Sequence, residues 1–215
     1  MKRFSIFLLF LIVGCALNAQ DDYRNYVLSR TMLNGTGTSY LDNITYYDGL
    51  GRPFQTVQKA VQSGLPVNKN LATLQEYDAA GREWNSWLPV FAGSSDYLAP
   101  AGIKSSAPGN YDNDSRPYSQ PVYKASPLNR LTAQYGPGAA WYNAGRPVKT
   151  EYLLNTNASP LKCIKYGVSS TGGLTGNSTT FYTSGELSVV KTTDEDLNVS
   201  YSFTDKQGHT VLTRR

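Results

Sequence analysis

Ile44-Thr45-Tyr46-Tyr47-Asp48-Gly49-Leu50-Gly51-Arg52-Pro53-Phe54-Gln55-Thr56-Val57 is the stretch on which the fold turns. Aromatic and β-branched residues lead into a tight turn and a second such run leaves from Arg52, the pattern of two strands joined as a hairpin. The same grammar returns in Glu76-Tyr77-Asp78-Ala79-Ala80-Gly81-Arg82-Glu83-Trp84, and a weaker third copy stands at Phe203-Thr204-Asp205-Lys206-Gln207-Gly208-His209. The shared Tyr-Asp-x-x-Gly-Arg has a mechanical reason. An Asp at the first turn position can accept hydrogen bonds from backbone N–H groups just ahead of it, and Gly at the last takes the positive φ that closes a hairpin with a bulge. The Tyr is placed to stack along one sheet face, and the Arg to lie over such a ring or to pair with the turn carboxylate. A lone hairpin is marginal in water, so the copies are expected to stack into one continuous sheet.

Outward from these copies, residues 20–92 read as a β-hairpin segment with two repeats, with a further turn at Asn34-Gly35-Thr36-Gly37. Residues 93–121, rich in Pro, Gly and Ser, read as a long surface loop. Residues 122–215 read as a second β-rich segment. Within it, Val122 to Leu131 is a strand, turn and strand with Asn129 in the glycine place, and Gln134 to Trp141 is a sharp turn with aromatic flanks packed across it. Residues 186–192, 198–204 and 209–214 form a meander with Val199, Tyr201 and Phe203 on one face. The predicted fold is all-β: antiparallel hairpins in an open sheet with an exposed edge and a long irregular loop in the middle.

Composition agrees. Among 215 residues, 40% are hydrophobic and 17% charged, too apolar for a disordered chain, and 16 Tyr with 19 Gly and 11 Pro favour strands and turns. Lys2 and Arg3, the apolar run Phe4 to Val13, and small residues at Gly14, Ala16 and Ala19 read as a signal peptide over residues 1–19. A lipobox-like Ile12-Val13-Gly14-Cys15, with Cys15 lipidated, is the alternative. The expected location is therefore secreted or cell-surface, or outer-membrane lipoprotein if Cys15 is processed. Lys2 and Arg3 belong to the leader, so the formal charge of +4 falls to +2 after cleavage, and no long Lys/Arg cluster suggests a nucleic-acid partner.

Tyr47-Asp48-x-x-Gly51-Arg52 and Tyr77-Asp78-x-x-Gly81-Arg82 resemble the YD repeat of the RHS (rearrangement hot spot) family. The flanks Ser126-Pro127-Leu128-Asn129-Arg130, Tyr135-Gly136-Pro137-Gly138, Gly185-Glu186-Leu187 and Thr193-Asp194-Glu195-Asp196 narrow the likeness. They resemble the N-terminal domain of uncharacterised function that precedes RHS repeats in large exported Bacteroidetes proteins. The resemblance implies a β shell that often encloses a toxin, and a partner in downstream RHS repeats or another β edge. The chain departs from that pattern in being short, which points to a truncated frame or a standalone relative.

An enzyme is not expected. His209, the sole histidine, holds the post-glycine place of a repeat, and Cys163 reads as a small strand residue rather than a nucleophile. The carboxylate pairs Asp194 with Asp196 and Asp112 with Asp114 lie in turn-rich text without a calcium-loop pattern. No cofactor or metal site is expected. The competing reading is a carbohydrate-binding surface, with Trp84, Trp87, Trp141 and Tyr142 as an aromatic platform for a cell-surface glycan. Asn-x-Ser/Thr triplets at Asn34, Asn43, Asn157, Asn177 and Asn198 are read as turn composition.

Overall fold

The computed structural model describes residues 24–62, 69–176 and 179–215, so the expected signal peptide and Cys15 lie outside the described residues. The strands are β1 (Asn25–Met32), β2 (Tyr40–Tyr47), β3 (Pro53–Gln62), β4 (Lys69–Tyr77), β5 (Glu83–Phe91), β6 (Tyr118–Tyr123), β7 (Leu131–Tyr135), β8 (Val148–Leu154), β9 (Gly167–Val168), β10 (Leu174–Thr175), β11 (Ser188–Thr193), β12 (Val199–Thr204) and β13 (Thr210–Arg214). Helices α1 (Pro100–Asn110) and α2 (Ala139–Asn143) lie between β5 and β6 and between β7 and β8. All strands but β9 and β10 join, in chain order, into one open antiparallel sheet with β1 and β13 at its edges. The all-β open meander expected from the hairpin pattern is the observed architecture.

Period-two patterning assigns the two faces. Ile44, Val57, Ala72 and Val90 register directly across β2 to β5 and are almost wholly buried. The next rows on the same face continue through Leu74, Trp87 and Tyr118 to Ala133 and Lys149, and then Leu153, Val189, Phe203 and Leu212 register across β8 and β11 to β13. The opposite face carries hydroxyl and amide groups, among them the row Thr45, Thr56 and Thr73 and the pair Ser86 and Ser119. One side of a single sheet thus carries both apolar clusters.

Two insertions cover that side. The first corrects the expectation of a loop over residues 93–121: it contains α1, and β6 begins at Tyr118. Pro100 sits in the first turn, where its missing N–H is not needed, and Pro108 lies in the last turn. Ile103 and Ala107, one turn apart, are fully buried against the cluster of Ile44, Val57, Leu74 and Val90. Pro and Gly content signals a breaker, but burying this narrow stripe outweighs it. Gln55, 2% exposed, pins the helix approach: its Nε2 donates to the Leu98 carbonyl at 2.5 Å and its Oε1 accepts the Leu98 N–H at 3.3 Å.

The second cover is the excursion between β8 and β11. It places Cys163 and Leu187 on Val189 and Phe203, with Leu153, Leu161, Tyr182 and Tyr201 around them. Cys163 is therefore a buried residue of an irregular segment rather than of a strand, and burial pushes its thiol up. Asn155, fully buried, holds the excursion closed. Its Nδ2 donates to the Thr183 carbonyl at 2.9 Å and its Oδ1 accepts the Leu187 N–H at 2.8 Å.

Between the covers, the β6–β7 hairpin is weakly joined to its neighbours. It pairs with β5 only at Ser86↔Ser119 and Trp87↔Tyr118, and with β8 only at Ala133↔Lys149 and Gln134↔Val148. Pro121, in the middle of β6, has no N–H to give a neighbouring strand. A bulge at Thr132, where Val122 pairs with Ala133 but Tyr123 with Leu131, interrupts β7 just where its pairing with β8 ends.

Candidate functional site

The turns joining β2–β3, β4–β5, β6–β7 and β12–β13 lie along one rim of the sheet, and the β11–β12 turn lies on the other. The turn at Asp48 sets the pattern. Its Oδ1 accepts the N–H groups of Leu50 and Arg52, both at 2.9 Å, while the Gly51 N–H donates to the Asp48 carbonyl at 3.0 Å. Gly51 has φ 76°. The Asp78 turn is superimposable in its bonding, with Ala80, Arg82 and Gly81 in the same parts and Gly81 at φ 78°. Asp205 repeats it with Gln207, His209 and Gly208, at φ 90°.

A fourth member was not recognisable as a copy. Asp194 accepts the N–H groups of Asp196 and Asn198 at 3.0 and 2.8 Å, and Leu197 takes the glycine place at φ 70°. A leucine at positive φ is uncommon enough that no turn rule points to it. The Ser126 turn is a longer relative. There the Lys124 N–H reaches the Arg130 carbonyl at 2.8 Å and Asn129 takes φ 50°, the left-handed role expected of it.

After each rim turn the register slips by one residue, between Tyr46 and Tyr47, Gln75 and Tyr77, Val122 and Tyr123, and Phe203 and Thr204. The slip seats Phe54 against the first core and Val211 against the second. Turn and bulge thus act together: one closes the hairpin, the other returns an apolar residue to the covered face.

The guanidinium groups link successive hairpins. Arg52 donates from Nε to Asp48 Oδ2 at 2.8 Å and lies 4.3 Å over the Tyr77 ring, and a Cβ at Gly81 would come within 3.1 Å of its Nη1. Arg82 likewise binds Asp78 at 2.8 Å and lies 4.5 Å over Tyr123, and Arg130 lies 4.9 Å over Tyr152. Tyr77 also donates its hydroxyl to the Pro53 carbonyl at 2.7 Å. Arg52 and Arg82 therefore each cap their own turn and stack on the Tyr of the following hairpin, while Arg130 contributes only the stack, on Tyr152 of β8. His209, in the corresponding place, lies 3.2 Å from Asp205 with its side chain 76% exposed.

The turn carboxylates are held below the usual range. The Arg52 backbone N–H lowers Asp48 most, the Arg82 side chain lowers Asp78, the Asn198 amide lowers Asp194 and the His209 backbone N–H lowers Asp205. A depressed folded-state pKa gives stability that is present above the unfolded value of about 3.9 and is lost as pH falls through the folded value. The four carboxyls are expected to titrate below free aspartate by NMR, and the rim amides to lose exchange protection on acidification below about pH 4. Titration at the ordinary aspartate value would remove these turns as acid-sensitive clasps.

The aromatic candidates do not form one platform, which corrects that expectation. Trp87 belongs to the packed face: its Nε1 donates to Glu76 at 2.9 Å and its ring stacks on Tyr118 at 4.6 Å. Arg116 lies over both Tyr118 and Tyr142, and Tyr142 packs on Tyr135 at 4.8 Å, so the aromatic contact across this turn is made by Tyr142 where Trp141 was expected. Trp141 is half exposed on α2, and Trp84 lines a separate depression with Gln75, Ser86 and Ser119. The four rings stand at separate places: Glu76 holds Trp87 on the packed face, Arg116 lies over Tyr142 on α2, and Trp84 and Trp141 stand apart from both.

The carboxylate pairs are divided as well. Asp114 accepts the Ala139 N–H at 3.0 Å at the start of α2, while Asp112 sits at φ 49° and is exposed. Asp194 serves its turn, and Asp196 is exposed at its tip. Among the described residues, no three His, Cys, Asp or Glu side chains converge on a common point.

No curated protein and no solved structure gives a match. A family model for a domain of unknown function, DUF6443, matches residues 20–154 and ends with the last residue of β8. The remaining residues continue the same sheet through β11 to β13. By that match over most of its length, with a meander of Asp-capped hairpins as its body, the chain belongs to the DUF6443 family.

Proposed function

We propose that the protein is a non-enzymatic, exported β scaffold, the N-terminal segment of an RHS-type cell-surface or toxin-delivery protein. It works by pairing β13 with downstream Tyr-Asp-x-x-Gly-Arg hairpins or with another β edge. The observation that carries the reading is the rim ladder, in which Arg52, Arg82 and Arg130 each stack on a Tyr of the following hairpin or strand. His209 holds the corresponding place beside β13, largely exposed, next to a strand with no outer neighbour among the described residues. An open ladder edge of this kind is a template for another strand. The leader-like residues 1–19 and the YD-type spacing support export and the RHS relationship.

Appending one synthetic Tyr-Asp-x-x-Gly-Arg hairpin after Arg215 tests this directly. The unextended chain is expected to self-associate by light scattering, and the extended chain to be monomeric with slowed amide exchange along β13. A chain that stays monomeric at high concentration, with β13 exchange unchanged by the added hairpin, would sink the reading.

A further inference from the structure

The edge strand and the second cover meet in one side chain. Arg214 of β13 stands opposite Tyr201 of β12 on the covered side of the sheet and reaches across to the excursion. There its Nη1 donates to the Pro160 carbonyl and its Nη2 to the Lys162 carbonyl at 3.0 Å. Among the described residues neither carbonyl has another donor. Apolar contacts run beside this clamp: Val211 and Leu212 from β13 and Leu161 from the excursion pack on the cluster of Cys163 and Phe203.

The clamp stands on weak ground. β13 is paired with β12 alone, through four residue pairs, and Arg214 belongs to the pair farthest from the Asp205 turn. A short strand held on one side frays first at the end away from its turn. When that end frays, the guanidinium leaves both carbonyls at once, and the stretch that covers Cys163, 3% exposed, loses its tie to the sheet.

We propose that pairing at the β13 edge and closure of the excursion over Cys163 are coupled through Arg214. A strand docked on β13 fixes the backbone that carries the clamp and so holds the excursion shut. By linkage, a loosened excursion weakens the docking by the same factor. The coupling rests on the reading of β13 as a pairing edge, and it makes Cys163 an internal reporter of that edge. Burial pushes the Cys163 thiol up and the Arg214 charge opposes that shift. Removing the charge would by itself slow attack by the thiol, so faster labelling in an Arg214 variant measures opening.

The full chain and its version extended after Arg215 by a Tyr-Asp-x-x-Gly-Arg hairpin both carry Cys15→Ser, which leaves Cys163 as the sole thiol. Each is labelled with a chromogenic disulfide reagent at a dilution where light scattering shows monomers. The hairpin is expected to slow labelling about tenfold, a usual size for coupled sites. Arg214→Gln is expected to speed labelling of the unextended chain about tenfold and to cut the effect of the hairpin below about threefold. Arg214→Lys keeps the charge but cannot fork across two carbonyls, so its rate should fall between. Labelling at the parent rate in both variants, or a hairpin effect undiminished in Arg214→Gln, would overturn the coupling. Amide exchange along β13 separates this from the reading beneath it. Exchange slowed by the hairpin without slower labelling removes the coupling and leaves the pairing edge standing, whereas exchange unchanged by the hairpin removes both.

Discussion

Replacing Phe203 with alanine is expected to lower the unfolding free energy by about 3–5 kcal/mol, the usual cost of truncating a buried aromatic ring. Phe203 is fully buried and registers between Val189 and Leu212, under a cover that includes Cys163 and Leu187. Removing it leaves a void that the sheet below and the excursion above cannot both close. The loss should also be regional. The two apolar clusters share no residue, and the hairpin between them is joined by two residue pairs on each side. Hydrogen exchange should speed up in β8 and β11 to β13 while β2 to β5 keep their protection, and calorimetry should resolve two transitions. Equal loss of protection in β2 to β5 would mean that the sheet unfolds as one unit.

Asn155→Ala carries the second large effect. The substitution strips the Leu187 N–H of its partner beside a fully buried side chain, while the Thr183 carbonyl keeps the Glu186 N–H at 3.0 Å. The stranded donor costs about 1–3 kcal/mol, and a loss of that size is expected from a urea unfolding curve. The variant should also expose Cys163, which thiol-labelling rates report. Asn155→Asp keeps an acceptor for Leu187 but faces the Thr183 carbonyl with an oxygen, so it should rescue little. Full stability in Asn155→Asp would show that the amide donor is dispensable.

The hairpin frame was legible because its information is local. Asp48, Gly51 and Arg52 sit within one turn, so their spacing alone states the hydrogen bonds and the left-handed residue, and Asp78, Gly81 and Arg82 say it again. The meander from Ser188 to Arg214 was legible for the same reason, since Val199, Tyr201 and Phe203 alternate cleanly. What could not be seen depends on distant partners. The helix at Pro100 is stabilised by two side chains, Ile103 and Ala107, reaching a sheet made of other segments. Asn155 reads as one more polar loop residue until the chain returns at Thr183 and Leu187. Leu197 hides the kinship of its turn with the Asp48 and Asp78 turns, because its side chain argues against the φ it adopts. The aromatic candidates failed as a group because exposure is a tertiary property: Trp87 and Trp141 look alike in the chain and differ only in what lies beside them.

The Asp-capped turns also divide constraint unevenly within themselves. Their bonds use main-chain groups and the carboxylate, and they ask nothing of the side chains of Gly49 and Leu50, Ala79 and Ala80, Glu195 and Asp196, or Lys206 and Gln207. Leu50, 79% exposed, touches so little that its identity is free. These tips are natural places for drift among relatives, and the ones along the shared rim would let an engineer display several foreign groups in a row without disturbing the sheet beneath.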